Sequence, residues 1–310
     1  MAQFPQEQSD SGEFQRQGDA FRNWVRRDDR AEFAAESERY HLYVSLACPW
    51  AHRTIIMRQL KGLEDVIGMT VVNPVRDERG WAFRDGPGHS TDPINGFQFL
   101  SEAYRATDSN YDSRVTVPVL WDKKTSRIVS NSDDDILRML SSEFADFAKN
   151  TADFYPEDLR NKIDDINSLI YDTVNNGVYQ AGFATSQRAY ETAAWAVFDT
   201  LNQLEVLLGS RRYLFGQRQT EADWRLFPTL IRFDEVYHGH FKCNLRRLVD
   251  YPNLFAYTRD LYQQDDVSAT VNFDHIKRHY YQTHDDINPT RIVPIGPMVD
   301  FHAPHQRGNL

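Results

Sequence analysis

The chain has 310 residues, with 35 Lys and Arg against 45 Asp and Glu, a formal net charge of −10 at pH 7. Its length fits two domains better than one, because a single hydrophobic core rarely grows past roughly 250 residues. The 41% hydrophobic and 26% charged content excludes global disorder, and the acidic balance argues against a surface that coats nucleic acid.

Met1-Ala2-Gln3-Phe4-Pro5-Gln6 has neither a basic nor an apolar leader segment, so no signal peptide is expected. No apolar run approaches the roughly 18 residues of a membrane span. Residues 1–39 form a polar N-terminal arm whose Phe14, Phe21 and Trp24 are candidates to lie on the body. Residues 40–145 follow as an α/β domain. His41–Leu46 is rich in strand formers, Cys48-Pro49 follows it, and Ile55, Ile56 and Leu60 carry a helical pattern with Gly62 as its stop. Met69–Val72 is a second strand, closed by Asn73-Pro74. Residues 75–112, dense in Gly, Asp and Pro, read as a long surface insertion. Val115–Trp121 and Arg127–Val129 form a hairpin across Asp122-Lys123-Lys124, and a helix starts near Ser132.

Residues 146–285 change to a helical period. Leu159, Ile163, Ile166 and Ile170 share one face, as do Tyr190, Ala194, Val197, Leu201, Leu204 and Leu208, with Gly209 as a C′ residue. Thr220-Glu221-Ala222-Asp223 has the form of a capping box before Leu226, Phe227 and Leu230. Residues 286–310 form an irregular tail, since Pro294, Gly296 and Pro297 oppose regular structure. The order β-α-β, insertion, β-β-α, then helices only, resembles a thioredoxin-like α/β domain plus an all-α C-terminal domain, a plan similar to that of the glutathione transferase fold.

Two cysteines cannot build a disulfide framework and suit a reducing, cytoplasmic setting. Cys48 stands between a strand end and the first helical turn, with Pro49 where a missing N–H costs nothing. There the positive end of the helix dipole favours the thiolate that nucleophilic sulfur chemistry needs. The position where a Cys-x-x-Cys motif keeps its resolving thiol is Ala51, so the chemistry is monothiol: attack on a sulfur, a mixed disulfide, then rescue by a second small thiol. A cis Val117–Pro118 bond would turn the Val117 backbone toward a peptide-like ligand.

Tyr40-His41-Leu42-Tyr43-Val44-Ser45-Leu46-Ala47-Cys48-Pro49-Trp50-Ala51-His52-Arg53 closely resembles the active-site segment of glutathionyl-hydroquinone reductases, the Xi class of glutathione transferases. The resemblance continues through Val72-Asn73-Pro74, Gly80-Trp81-Ala82-Phe83, Arg114–Asp122, Asn175–Tyr179, Ala181–Ala184 and Asn288-Pro289-Thr290. It implies that Cys48 attacks the glutathione sulfur of a glutathionyl-hydroquinone, releases the hydroquinone and is regenerated by a second glutathione. It further implies that Trp81 packs over glutathione, that Arg114 and the Val117 backbone before Pro118 hold its peptide, and that Tyr179, Tyr237 and Tyr280 are active-site tyrosines. A phenol that packs on the departing ring can also supply its proton. The implied assembly is a homodimer.

One departure stands out. The family's helix after the hairpin usually opens with Glu-Ser, which grips the γ-glutamyl amine and carboxylate, whereas this chain has Ser132-Asp133 followed by Asp134 and Asp135. The helix N-terminus still favours a carboxylate, but the charges raise two alternatives: weakened glutathione binding, or preference for another low-molecular-weight thiol. A general monothiol transferase or dehydroascorbate reductase, and a thiol-binding scaffold without turnover, are rival readings. His238-Gly239-His240 with Cys243 fits no zinc spacing, and no nucleotide-binding glycine pattern occurs, so neither metal nor nucleotide cofactor is expected; glutathione enters as cosubstrate.

Overall fold

Tyr40–Val44 forms strand β1, and all five of its residues are buried, as a central strand covered on both faces requires. In this computed structural model, which describes residues 7–310, β1 runs parallel to β2 (Gly68–Val71) and antiparallel to β3 (Val119–Asp122). β4 (Arg127–Ser130) pairs with β3, giving the order β2-β1-β3-β4. Helix α1 (Pro49–Leu60) makes the crossover that a parallel pair demands. Positions 1–6 of the expected arm lie outside the described residues.

The chain divides into two compact units. The sheet unit comprises residues 18–153 and 269–279. Its third strand begins at Val119 rather than Val115, because Pro118 has no N–H to give a ladder and the Val117–Pro118 bond is cis. The tract 75–112 is not a surface loop throughout. Its end forms α2 (Leu100–Thr107), whose Leu100, Ala103 and Tyr104 are buried at helical spacing, and Asp92 pins the tract to β1 by accepting from the Tyr43 hydroxyl (3.0 Å) and the Ile94 and Asn95 amides (3.0 and 3.1 Å). β4 is one of the sheet's two outer strands, and the arm closes that edge. Asn23 N–H donates to Val129 O, Asn131 N–H donates to Phe21 O (3.0 Å each), and Asn131 Oδ1 accepts from Phe21 N–H (2.8 Å). Helix α3 (Asp133–Ser142) then packs beside α1.

The helical unit comprises residues up to Gln17, Phe154–Ser268 and Tyr280–Leu310. It holds α4 (Arg160–Ile170), α5 (Gly177–Gly182), α6 (Gln187–Leu208), α7 (Glu221–Arg232) and α8 (Pro252–Tyr262). Helix α9 (Phe273–Thr283) has its residues to His279 in the sheet unit and the rest here. The expected capping box opens α7: Asp223 accepts from Thr220 N–H (2.8 Å), and its other oxygen takes the Leu214 amide (3.0 Å) and the Tyr257 hydroxyl (2.8 Å). Every residue of α7 is buried, which the short apolar run did not convey. Gly209 is not a left-handed C′ residue; its φ is −65°. The end of α6 is capped from the tail instead, where buried Arg307 donates to the carbonyls of Leu208 and Arg212 (3.0 Å each) and of Arg211. Among the described residues no helix is long and apolar enough to cross a membrane.

Burial holds two imidazoles, His41 in the sheet unit and His240 in the helical unit, down to about 4. The unfolded chain therefore takes up these protons at higher pH than the folded one, and stability present above pH 6.5 is lost as pH falls toward 4. The expected cost is up to about 3 kcal/mol for each ring at the acid end of that window. Urea midpoints compared at pH 7.5 and 5 measure it; the His240→Gln variant should show a flatter slope, and an equally steep one contradicts the assignment.

Candidate active site

Cys48 is the N-cap of α1, with φ −76° and ψ 122°, and Pro49 occupies the first helical position. The extended backbone at residue 48 turns the chain from strand into helix and leaves the sulfur at the positive end of the helix dipole. Its Sγ lies 3.6 Å from the Val117 carbonyl oxygen, so the thiol meets the residue that precedes the cis proline. Cys48 keeps 9% of its surface exposed, whereas Cys243 keeps none. Burial pushes the Cys243 thiol up to about 12, which leaves it inert. His52 is turned to the Thr270 hydroxyl at 2.8 Å.

The first turn of α3 carries the three acids that depart from the expected pattern. Ser132 is its N-cap and accepts from the Asp135 amide at 3.4 Å. Each of the charges meets a guanidinium. Arg53 of α1 donates to Asp133 (2.7 Å) and Asp134 (3.3 Å), and Arg22 of the arm grips both oxygens of Asp135 at 2.7 Å. Arg53 also lies 4.6 Å from the centre of the Trp50 ring, so the turn that bears Cys48 is tied to the turn that bears Ser132. The acids are therefore neutralised locally rather than presented as bare repulsion.

A fourth carboxyl reaches this turn from the arm. The Asp19 carboxyl stands beside the Ser132 side chain. Residue 19 as a whole is exposed, yet crowding around its carboxyl is the leading influence that raises its pKa above the ordinary carboxylate value. Asp134 and Asp135 push the same way, while the Ser132 hydroxyl and Arg22 oppose. Sequence reading missed Asp19, Arg22 and Arg53. The available signal was the pair of arm aromatics that flank Asp19: Phe21 does pack on the body, 5.7 Å from both Tyr104 and Tyr111.

Trp81 is buried and stacks on His279, with ring centres 5.0 Å apart and planes 17° from parallel, while the Arg76 guanidinium lies 5.0 Å from its ring centre. His279 is itself fixed by a 2.7 Å bond to the Pro74 carbonyl. The Arg114 carbonyl accepts from the Tyr111 hydroxyl at 2.5 Å, anchoring the loop that leads to Val117.

In the helical unit the three expected tyrosines meet. Tyr280 of α9 is the hub, its hydroxyl 2.5 Å from that of Tyr179 on α5 and 3.0 Å from that of Tyr237. Tyr237 ends a π-helical turn, Phe233–Tyr237, and a second such turn, Tyr171–Asn175, precedes α5; these widened turns re-aim the residues that follow and recur at functional sites. Phe183 and Phe241 pack on Tyr179 at 6.2 and 5.3 Å, and His240 and His284 are bonded to each other at 3.1 Å beside Tyr280. Arg16 of the arm, also missed from sequence, lies over the Tyr179 ring.

A thioredoxin-like unit with an N-cap thiol facing a cis proline, followed by a helical unit, defines a glutathione transferase architecture, and comparison with known proteins agrees. Residues 47–143 match the model of the glutathione S-transferase N-terminal domain and residues 187–260 that of the C-terminal domain. The chain is 53% identical over 306 residues to the glutathionyl-hydroquinone reductase YqjG of Escherichia coli, covering 96% of this chain and 93% of that protein. It is 50% identical to the glutathionyl-hydroquinone reductase PcpF of Sphingobium chlorophenolicum, covering 93% and 91%. The glutathione-bound structure of YqjG superposes with a TM-score of 0.90 over 93% of this chain and 96% of that one, at 54% identity. The glutathione S-transferase Xi of Phanerochaete chrysosporium does so with a TM-score of 0.91 at 49% identity, covering 94% and 95%. The chain belongs to the Xi class of glutathione transferases, the glutathionyl-hydroquinone reductases.

Proposed function

We propose that the protein reduces glutathionyl-hydroquinones to hydroquinones with glutathione as the reductant. One observation carries the reading: the thiol of Cys48 caps α1 and lies 3.6 Å from the carbonyl before the cis proline, in a chain about half identical to two named reductases of such conjugates. The Cys48 thiolate attacks the glutathione sulfur and forms a Cys–S–S–glutathione bond. The carbon–sulfur bond to the ring breaks, its electron pair stays on the ring carbon, and a proton completes the hydroquinone. A second glutathione then attacks the mixed disulfide, releasing glutathione disulfide and the Cys48 thiolate. The atoms balance, because the second glutathione returns the proton taken up by the ring.

The peptide of glutathione is held by the Val117 backbone and Arg114, with Trp81 beside it, and its α-carboxylate by the first turn of α3 at Ser132. The γ-glutamyl ammonium meets Asp19, whose carboxyl stands beside Ser132, the slot in which the family usually has a glutamate; Asp133 is engaged by Arg53. The hydrogen-bonded cluster of Tyr179, Tyr237 and Tyr280 is the source of the one proton that the departing ring needs, a contribution of roughly 10²–10⁴ in rate for general acids of this kind. The reading includes a cytoplasmic homodimer, in keeping with two cysteines that form no disulfide.

The test is mass analysis after brief incubation with a glutathionyl-hydroquinone. One added glutathione should appear on the peptide that contains Cys48, and hydroquinone and glutathione disulfide should form in equal amounts. Turnover with no adduct at Cys48 contradicts the mechanism.

A further inference from the structure

The tyrosine trio is not symmetric. Tyr237 and Tyr280 retain 0% and 1% of their surface, and burial raises both phenols well above their ordinary value, so both keep their protons. Tyr179 retains 9%, the most exposed of the three, and its hydroxyl meets that of Tyr280. It is also the member against which a cation rests: the Arg16 guanidinium carbon lies 4.8 Å from the Tyr179 ring centre. That guanidinium is oriented by its Nε–H, which donates to Asn176 Oδ1 at 2.9 Å one helical turn before Tyr179, and it lies 5.4 Å from the Phe14 ring. Phe14 in turn packs on Phe183 at 5.4 Å, which fixes this part of the arm on α5.

A cation against a phenol face is attracted by the ring, and more strongly by the phenolate once the proton has gone. We infer that Arg16 makes Tyr179 the proton-releasing member of the trio, with Tyr280 donating its hydrogen bond to the phenolate left behind. The inference deepens the proposed function and rests on it: Arg16 is a positioning residue, acting through Tyr179. Arg232, at the end of α7, acts on Tyr237 and Tyr280. His240 lies 6.3 Å from Tyr280 and is held neutral by burial, and His284 lies 5.4 Å from the same ring. The neighbours Phe183 and Phe241 carry no charge.

Ultraviolet titration of tyrosinate formation reads Arg16 without any turnover. In the unaltered protein the earliest buried phenol to ionise should disappear in Tyr179→Phe. It should move up by roughly one pH unit in Arg16→Gln, the size of a partly buried cation's effect, and stay near its original position in Arg16→Lys, which keeps the charge. With glutathionyl-hydroquinone as substrate, kcat of Arg16→Gln should fall roughly three- to tenfold at neutral pH, with the KM for glutathione unchanged. A first ionisation that stays put in Arg16→Gln, or that is lost in Tyr237→Phe rather than Tyr179→Phe, overturns the inference. Absence of reductase turnover in the unaltered protein would overturn the proposed function instead, and the two failures are read on different instruments.

Discussion

Replacing Cys48 with Ser should lower glutathionyl-hydroquinone turnover by at least about a thousandfold, the usual scale for loss of a covalent nucleophile. The hydroxyl is nearly the same size, so the helix cap and the fold should persist, but a serine at a helix N-terminus is not ionised near neutral pH and cannot form a mixed disulfide. Cys243→Ser provides the contrast. Its thiol is closed to solvent and pushed up to about 12, so turnover should be unchanged while the core is perturbed. Steady-state rates on the two variants, with circular dichroism to verify folding, decide the matter. A Cys48→Ser protein that still turns over within tenfold of the original removes the thiolate mechanism.

Asp19→Asn should weaken glutathione roughly 10- to 100-fold, the worth of one charge-assisted hydrogen bond. The substitution keeps size and most hydrogen-bonding capacity but removes the charge that the γ-glutamyl ammonium requires. Isothermal titration gives the affinity directly, and a glutathione analogue without the amino group should bind both proteins alike. Alkylation of Cys48 by a small uncharged reagent should be unaffected, because Asp19 acts at α3 rather than at α1. Ser132→Glu placed on Asp19→Ala should restore binding, since it returns the carboxylate to the slot from the helix side. Equal affinity in Asp19→Asn and the unaltered protein contradicts the assignment. It would revive the idea that Ser132-Asp133 marks a different thiol, which tight binding of glutathione by the unaltered protein would dismiss.

Much of the architecture was legible because it is locally encoded. A strand former run, a Cys-Pro and an apolar helical stripe sit within a few residues of one another, and so do Thr220 and Asp223, whose capping box the structure reproduces. The errors were also local in origin. The apolar run from Val115 hides the missing N–H of Pro118, which delays β3 to Val119, and nothing near Gly209, a suitable C′ residue by sequence, announces Arg307, nearly a hundred residues on, as the donor that satisfies the end of α6.

The candidate site divides along the same line. The sequence by itself determined that Cys48 would cap a helix, that it would have no resolving partner, and that a proline would follow Val117, since each depends only on chain neighbours and backbone geometry. Only the tertiary structure decided which charges meet. The open edge of β4 draws in the arm and so delivers Asp19 to Ser132 and Arg22 to Asp135, while helix packing brings residues 179, 237 and 280 within hydrogen-bonding reach and lays Arg16 over the first of them. Such pairings span from about forty positions of chain (Tyr237 to Tyr280) to about a hundred and sixty (Arg16 to Tyr179), and no spacing rule links residues that far apart. What joins them is the need to cover a strand edge and to bury aromatic faces, which is settled only when the whole chain has folded.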